Sequence, residues 1–100
     1  MTAYNIVRFR TKPGQEAAFI DHHRTFTANF SGMLKGTMVK TGDSTFCLIG
    51  EWRSRDDLVA ARAKMIEVLD GMRPMLDDLG GGLGVTDAVS GEAVLDLTSK

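Results

Sequence analysis

The chain has 100 residues, of which 43% are hydrophobic and 25% charged, and its 12 basic and 13 acidic side chains leave a net charge of -1. At that length folding hides roughly two-thirds of the chain's surface, enough for one modest core and no second domain, so residues 1–100 read as a single domain. The composition excludes a disordered chain, the near-neutral charge gives no footprint for nucleic acid or an anionic membrane, and a lone cysteine excludes an internal disulfide.

Residues 3–10 alternate Asn5, Val7 and Phe9 against Tyr4, Ile6, Arg8 and Arg10, the period of a first strand. Thr11-Lys12-Pro13-Gly14 interrupts it. Pro13 suits the first turn of a helix and Glu16 favours its positive end, which predicts a helix over residues 13–29. Phe19, His23, Phe26 and Phe30 recur along it as one apolar stripe facing a sheet, with His22 and Asn29 beside the stripe.

Residues 33–41 form a second strand, and Gly42-Asp43 is the tight turn that returns the chain antiparallel. The third strand carries Phe46, Leu48, Gly50 and Trp52 on one face and Thr45, Cys47, Ile49, Glu51 and Arg53 on the other. Both faces are largely apolar, so both are expected to be covered. Cys47 reads as a small core residue, since no base accompanies it in the pattern. Ser54, with Asp57 three residues on, caps a second helix that starts at Arg55 and shows Leu58, Ala61, Met65, Val68, Leu69 and Met72 on one face. Pro74 would clash with the carbonyl of Asp70, which predicts a break near residues 71–73 and a short helix from Pro74 to Leu79, ended by Gly80-Gly81-Gly82. That glycine run has neither a preceding strand nor a Lys-Ser/Thr partner and is not read as a phosphate loop. A fourth strand over residues 85–89, a turn at Ser90-Gly91 and an extended arm over 91–100 complete the chain.

The first residues, Met-Thr-Ala-Tyr-Asn, lack the basic and apolar regions of a signal peptide, and no run of about 18 apolar residues occurs, so a cytoplasmic protein is expected. The order strand, helix, strand, strand, helix, strand is the split βαβ pattern of a ferredoxin-like α+β fold, with strands 1 and 3 central and antiparallel and both helices on one face. The second face would then leave Ile6, Cys47 and Ile49 in water, and pairing two sheets face to face as a homodimer is the simplest remedy. Arg8 and Glu51 belong to that second face, where they would pair directly or across a dimer.

Asn5, the Lys12-Pro13-Gly14 helix entry, the Gly50-Glu51-Trp52-Arg53-Ser54 strand ending and the length together resemble the antibiotic biosynthesis monooxygenase superfamily of dimeric α+β barrels, over about residues 3–89. The resemblance implies a pocket between sheet and helices, with Asn5 and Trp52 at positions that help to place substrate in some members. It also implies a small aromatic ligand, a quinol or polyketide-like molecule, oxidised without metal or flavin, so no cofactor is expected. Other members degrade haem through a histidine on helix 2, which this chain lacks, so haem ligation is not carried over. His22 and His23 point about 100° apart on a helix and do not chelate one metal, so no metal site is expected either. The residues assigned to catalysis are His23, as a base, with Trp52 and Asn5, and those assigned to substrate contact are His22, Phe19, Phe26, Leu48 and Met65. Each catalytic assignment has a structural alternative: Trp52 as a core anchor, Asn5 as a strand-end polar group bonded to backbone, His23 as a core-edge histidine. A noncatalytic binding or accessory protein built on the same pocket is the alternative function.

Overall fold

The computed structural model of the chain describes residues 2–25 and 30–97, and its sheet is built on the alternation of two strands. β1 (Ala3–Arg10) and β3 (Thr45–Trp52) pair antiparallel, with Asn5 opposite Gly50, Val7 opposite Leu48 and Phe9 opposite Phe46. Because residues that face each other across a ladder point to one side, that register puts Val7, Phe9, Phe46 and Leu48 on the same face as Asn5 and Gly50, and Ile6 and Ile49 on the other. β2 (Met33–Gly42) flanks β3 and β4 (Asp87–Glu92) flanks β1, both antiparallel, giving the order β2-β3-β1-β4. With helices α1 (Glu16–Arg24) and α2 (Arg55–Met72) packed on the Asn5–Val7–Phe9 side, this is the ferredoxin-like α+β arrangement expected from the element order.

Two core clusters hold the helices down. Phe9, Phe19, Phe46, Met72 and Leu76 form one, and Ala3, Trp52, Leu58 and Ala61 form the other. α2 serves both because its apolar positions return every three or four residues, from Leu58 at its start to Met72 at its end. Its start is fixed as expected: Ser54 Oγ accepts from the Asp57 backbone N–H at 3.2 Å. The Asp57 carboxylate also receives Arg53 Nε at 2.9 Å, which holds its pKa below the usual carboxylate value.

Several boundaries differ from the expectation. α1 starts at Glu16, not Pro13, because Gly14 sits at φ +79°, a left-handed conformation that a helix does not contain. Its description ends at Thr25, and Phe26 and Asn29 lie outside the described residues. Phe30 packs edge-on against Trp52 at 5.8 Å. The two residues between β2 and β3 are Asp43 and Ser44, one later than expected, because an irregularity between Lys40 and Gly42 shifts the register there. The helix expected from Pro74 to Leu79 is a single 3₁₀ turn, Arg73–Met75. Beyond it Leu76 is buried in the first cluster, and the backbone is drawn onto the end of β1: Lys12 N–H donates to Met75 O at 2.9 Å and Asp77 N–H to Arg10 O at 2.7 Å. Those bonds replace the ones a helix would have made.

β4 runs through Ser90 and Gly91 where a turn was expected, since β1 offers a continuous ladder as far as Ala3 opposite Glu92, and Ala93 N–H then donates to Thr2 O at 2.8 Å. The projecting arm therefore starts after Ala93. On the open face, Arg8 and Glu51 share a side as expected but do not pair within the chain. Arg8 Nη2 donates to Asp87 Oδ2 at 2.6 Å, its cross-strand neighbour on β4, and Glu51 Oε1 accepts from the Tyr4 hydroxyl at 3.2 Å.

Gly50 is where packing is tightest. A Cβ there would overlap Asn5 Oδ1 and lie 2.9 Å from Trp52 Nε1. Glycine to alanine inside a strand usually stabilises by limiting the unfolded chain, but here Gly50→Ala is expected to destabilise by about 1–3 kcal/mol through overpacking. Urea unfolding measures it; a variant as stable as the parent would mean that Asn5 can move aside.

Candidate functional site

Between the two clusters the helices stand off the sheet and leave a cavity of about 720 Å³, within the size range of small-molecule sites. Val7, Leu48 and Met38 floor it from three strands, and Met65, Leu69 and Ile66 of α2 roof it. The polar groups in this wall are few, and two of them come from the centre of the sheet and the end of α1: Asn5 and His23.

Asn5 is 8% exposed, and its amide is oriented by its neighbours. Trp52 Nε1–H donates to Asn5 Oδ1 at 2.7 Å, so Oδ1 is the acceptor and Nδ2 must carry the two N–H bonds. The partner found for Nδ2 is the thioether of Met65, at 3.8 Å. Sulfur is a weak acceptor, so this N–H pair remains available to a ligand oxygen. The side chain is thus a fixed donor on the cavity floor, and the indole of Trp52, itself 1% exposed, is what fixes it.

His23 follows from a different constraint. Its Nδ1 lies 2.9 Å from the carbonyl oxygen of Phe19, one helical turn earlier. A carbonyl can only accept, so Nδ1 carries the proton, and in the neutral ring the lone pair belongs to Nε2. Nε2 is buried and has no hydrogen-bond partner among the described residues. Burial lowers the pKa of the ring below 6.5, with the Phe19 carbonyl opposing this and His22 adding slightly to it. The outcome is a neutral imidazole at pH 7 whose basic nitrogen is sheltered and uncommitted. Edge-on packing against Phe19 at 4.7 Å and Phe9 at 5.9 Å sets the ring plane.

The remaining candidates fall in different places. Leu48 and Met65 line the cavity with Asn5, Trp52 and His23. Phe19 does not: it is fully buried in the first cluster, where it supports His23 from behind. His22 points away to α2, with Nε2 3.2 Å from Val68 O, and Phe26 lies outside the described residues. Arg24 and Arg62 line the cavity and were not singled out from the sequence, although Arg62 stands four residues after Leu58 and three before Met65, on the same helical face. Among the described residues no group of three or more His, Cys, Asp or Glu side chains is placed to hold a metal ion, and no helix is long and apolar enough to cross a membrane.

No protein-family model matches the chain, and neither does any curated protein sequence. Solved structures match it along nearly its whole length. The cofactor-independent oxygenase SnoaB from Streptomyces nogalater superposes with a TM-score of 0.72 at 15% identity, over 98% of each chain. A candidate antibiotic biosynthesis monooxygenase from Chloroflexus aurantiacus does so at 0.73 and 15%, again over 98% of each. A Nitrosomonas europaea protein of unknown function gives 0.73 and 19%, over 99% of this chain and 95% of that one. Over nearly its whole length, then, this chain has the ferredoxin-like α+β fold found in antibiotic biosynthesis monooxygenase proteins.

Proposed function

We propose that this protein is a monooxygenase that binds a small hydroxylated aromatic molecule in the cavity and oxidises it with molecular oxygen, without metal or flavin. The observation that carries the reading is the buried, unpartnered Nε2 of a histidine whose tautomer is fixed and whose pKa is lowered. Such a nitrogen costs stability where it stands, about 1–3 kcal/mol for an unsatisfied buried group, and a substrate proton is what it suits. The fold shared with SnoaB, a cofactor-independent oxygenase, supports the same chemistry.

His23 removes the proton of a ring hydroxyl, and Asn5 Nδ2 donates to another oxygen of the ligand, since Asn5 and the Phe9 that packs on His23 stand four residues apart on β1, about 13 Å. The phenolate is also a carbanion at a ring carbon, and it gives its electrons to O2 there, forming a C–O bond. The second oxygen atom departs as water, taking the ring C–H hydrogen and the proton returned by His23, and a quinone remains. Excluding bulk water from the apolar walls protects the charged and peroxidic intermediates. Trp52 acts as a positioning residue through Asn5. Oxygen uptake with a panel of naphthols and quinols tests the reaction; binding without uptake would instead make this a noncatalytic binding protein.

His23→Phe separates the site from the core. It fills similar space beside Phe9 and Phe19 and removes the unsatisfied nitrogen, so stability should stay within about 0.5 kcal/mol of the parent or rise, while oxygen uptake is lost. A melting temperature that collapses would make His23 a packing residue.

The parent should also lose stability on acidification in a way that the variant does not. The native pKa of His23 lies below its unfolded value of 6.5. As pH falls from there towards the native pKa, the unfolded chain takes up the proton first, so this contribution is whole above about pH 6.5 and is lost below it. Denaturant unfolding across that range measures the difference, and identical pH profiles for parent and variant would show that the ring is not buried neutral.

The open sheet face is the second part of the proposal. Ile6 and Val39 are each 38% exposed and Val89 61%, around the partly covered Ile49 and Cys47. Val94, Leu95 and Leu97 of the arm are largely exposed as well. A second copy of the chain, sheet against sheet, would cover these surfaces and close a dimeric barrel. Ile49→Glu, at the middle of the face, is expected to give a folded monomer in sedimentation at micromolar concentration. A parent that sediments as a monomer would remove the dimer.

A further inference from the structure

The cavity wall is uneven in charge. Among the described residues the charged side chains that line it are Arg24 and Arg62, and no aspartate or glutamate does. In a chain whose acidic residues outnumber its basic ones, 13 to 12, two guanidinium groups and no carboxylate around one cavity are a local excess of positive charge. Among the described residues neither group is held by a strong counter-ion. Arg24 meets Asp21 at 3.4 Å with both side chains about three-quarters in solvent, 75% and 74%, a geometry in which an ion pair contributes little. Arg62 Nη2 donates to the neutral hydroxyl of Ser90 at 3.2 Å, one of five N–H donors it possesses. Ser90 is the β4 residue opposite Asn5, so this bond ties the exposed guanidinium to the strand position next to the buried amide. The cavity therefore combines an apolar middle, two neutral polar groups within it and cationic groups at its solvent-facing parts.

We infer that the ligand is an aromatic acid, with its ring against Val7, Leu48 and Met65, its hydroxyl at His23, and its carboxylate at Arg62, where a planar guanidinium can donate two parallel hydrogen bonds. Arg24 adds to the attraction without needing to touch the anion. The inference rests on the ligand-binding reading of the cavity and narrows its substrate class. A carboxylate on the ring also explains why the wall has no acidic residue: one would repel this ligand and would be indifferent to a neutral quinol.

The test is a fluorescence titration of the full chain with a hydroxynaphthoate and with the matching naphthol, at low and high salt. The acid is expected to bind about tenfold more tightly than the naphthol, the size of one charge-assisted hydrogen bond, with the difference shrinking at high salt. Arg62→Gln should remove most of that preference and leave naphthol binding within about twofold, whereas Arg62→Lys should keep the salt-dependent part. Unchanged melting temperatures show that the variants are folded. Equal affinities of the parent for acid and naphthol, or a preference that survives Arg62→Gln together with Arg24→Gln, would overturn the aromatic-acid assignment and leave the cavity as a site for neutral aromatics. Failure of both probes to bind would overturn the cavity reading itself and this inference with it.

Discussion

An indole N–H that finds its acceptor in a buried side-chain amide on the neighbouring central strand, above a position with room for no side chain, is the constraint on which the rest depends. The Trp52–Asn5 bond requires Gly50 between them, and Gly50 stands opposite Asn5 only in the observed register of β1 and β3. A slip of one residue would carry Asn5 to the open face and leave Trp52 Nε1 buried without a partner, a penalty on top of the lost apolar burial. The same bond that selects the register also turns the amide so that its donors face the cavity. Architecture and chemistry are therefore specified by one contact, and Trp52 is both a core anchor and a positioning group.

The parts of the fold that were legible in the sequence are those where one periodicity meets one buried face. β1, β3 and α2 qualify: their apolar residues recur at two, or at three and four, and nothing competes. The faces of Asn5–Val7–Phe9 and Phe46–Leu48–Trp52 follow at once. What was not legible depends on contacts between segments far apart in the chain. Residues 76 and 77 leave the helical path because the end of β1 supplies backbone partners and the first cluster takes Leu76, and no local pattern announces either. Gly91 resembles a turn residue but has an intact ladder beside it. Arg8 finds Asp87 because β4 lies next to β1, a neighbour relation that residue spacing does not fix.

The site divides along the same line. Asn5, Trp52, Leu48 and Met65 share a cavity because they share faces that the alternation already defined. The distinction between His22 and His23 is finer: one turns to the Val68 carbonyl of α2, while the other bonds the Phe19 carbonyl of its own helix and lines the cavity, and the difference is a single rotation about the α1 axis. Phe19 shows the limit of a stripe argument, since a residue on the correct face can be so well packed that it supports the wall without being part of it. Fold likeness adds the frame but not the reaction, because proteins of quite different certainty of role, including one of unknown function, superpose on this chain equally well.

The position of β1 has a consequence for how the molecule is made. It is a central strand, bonded on both sides, yet both of its neighbours come later in the chain: Asn5 must wait for Gly50 on one side and for Ser90 on the other. During synthesis Ile6, Val7 and Phe9 emerge with no sheet to join, while the β2–β3 hairpin and α2 can form from near neighbours. Assembly must therefore close two long loops around the earliest strand, which makes this a chain of slow topology whose nascent form displays an unpaired, sticky edge. Arg8 and Arg10, set beside Val7 and Phe9, put two like charges on that edge, the kind of residue that opposes aggregation of an exposed strand.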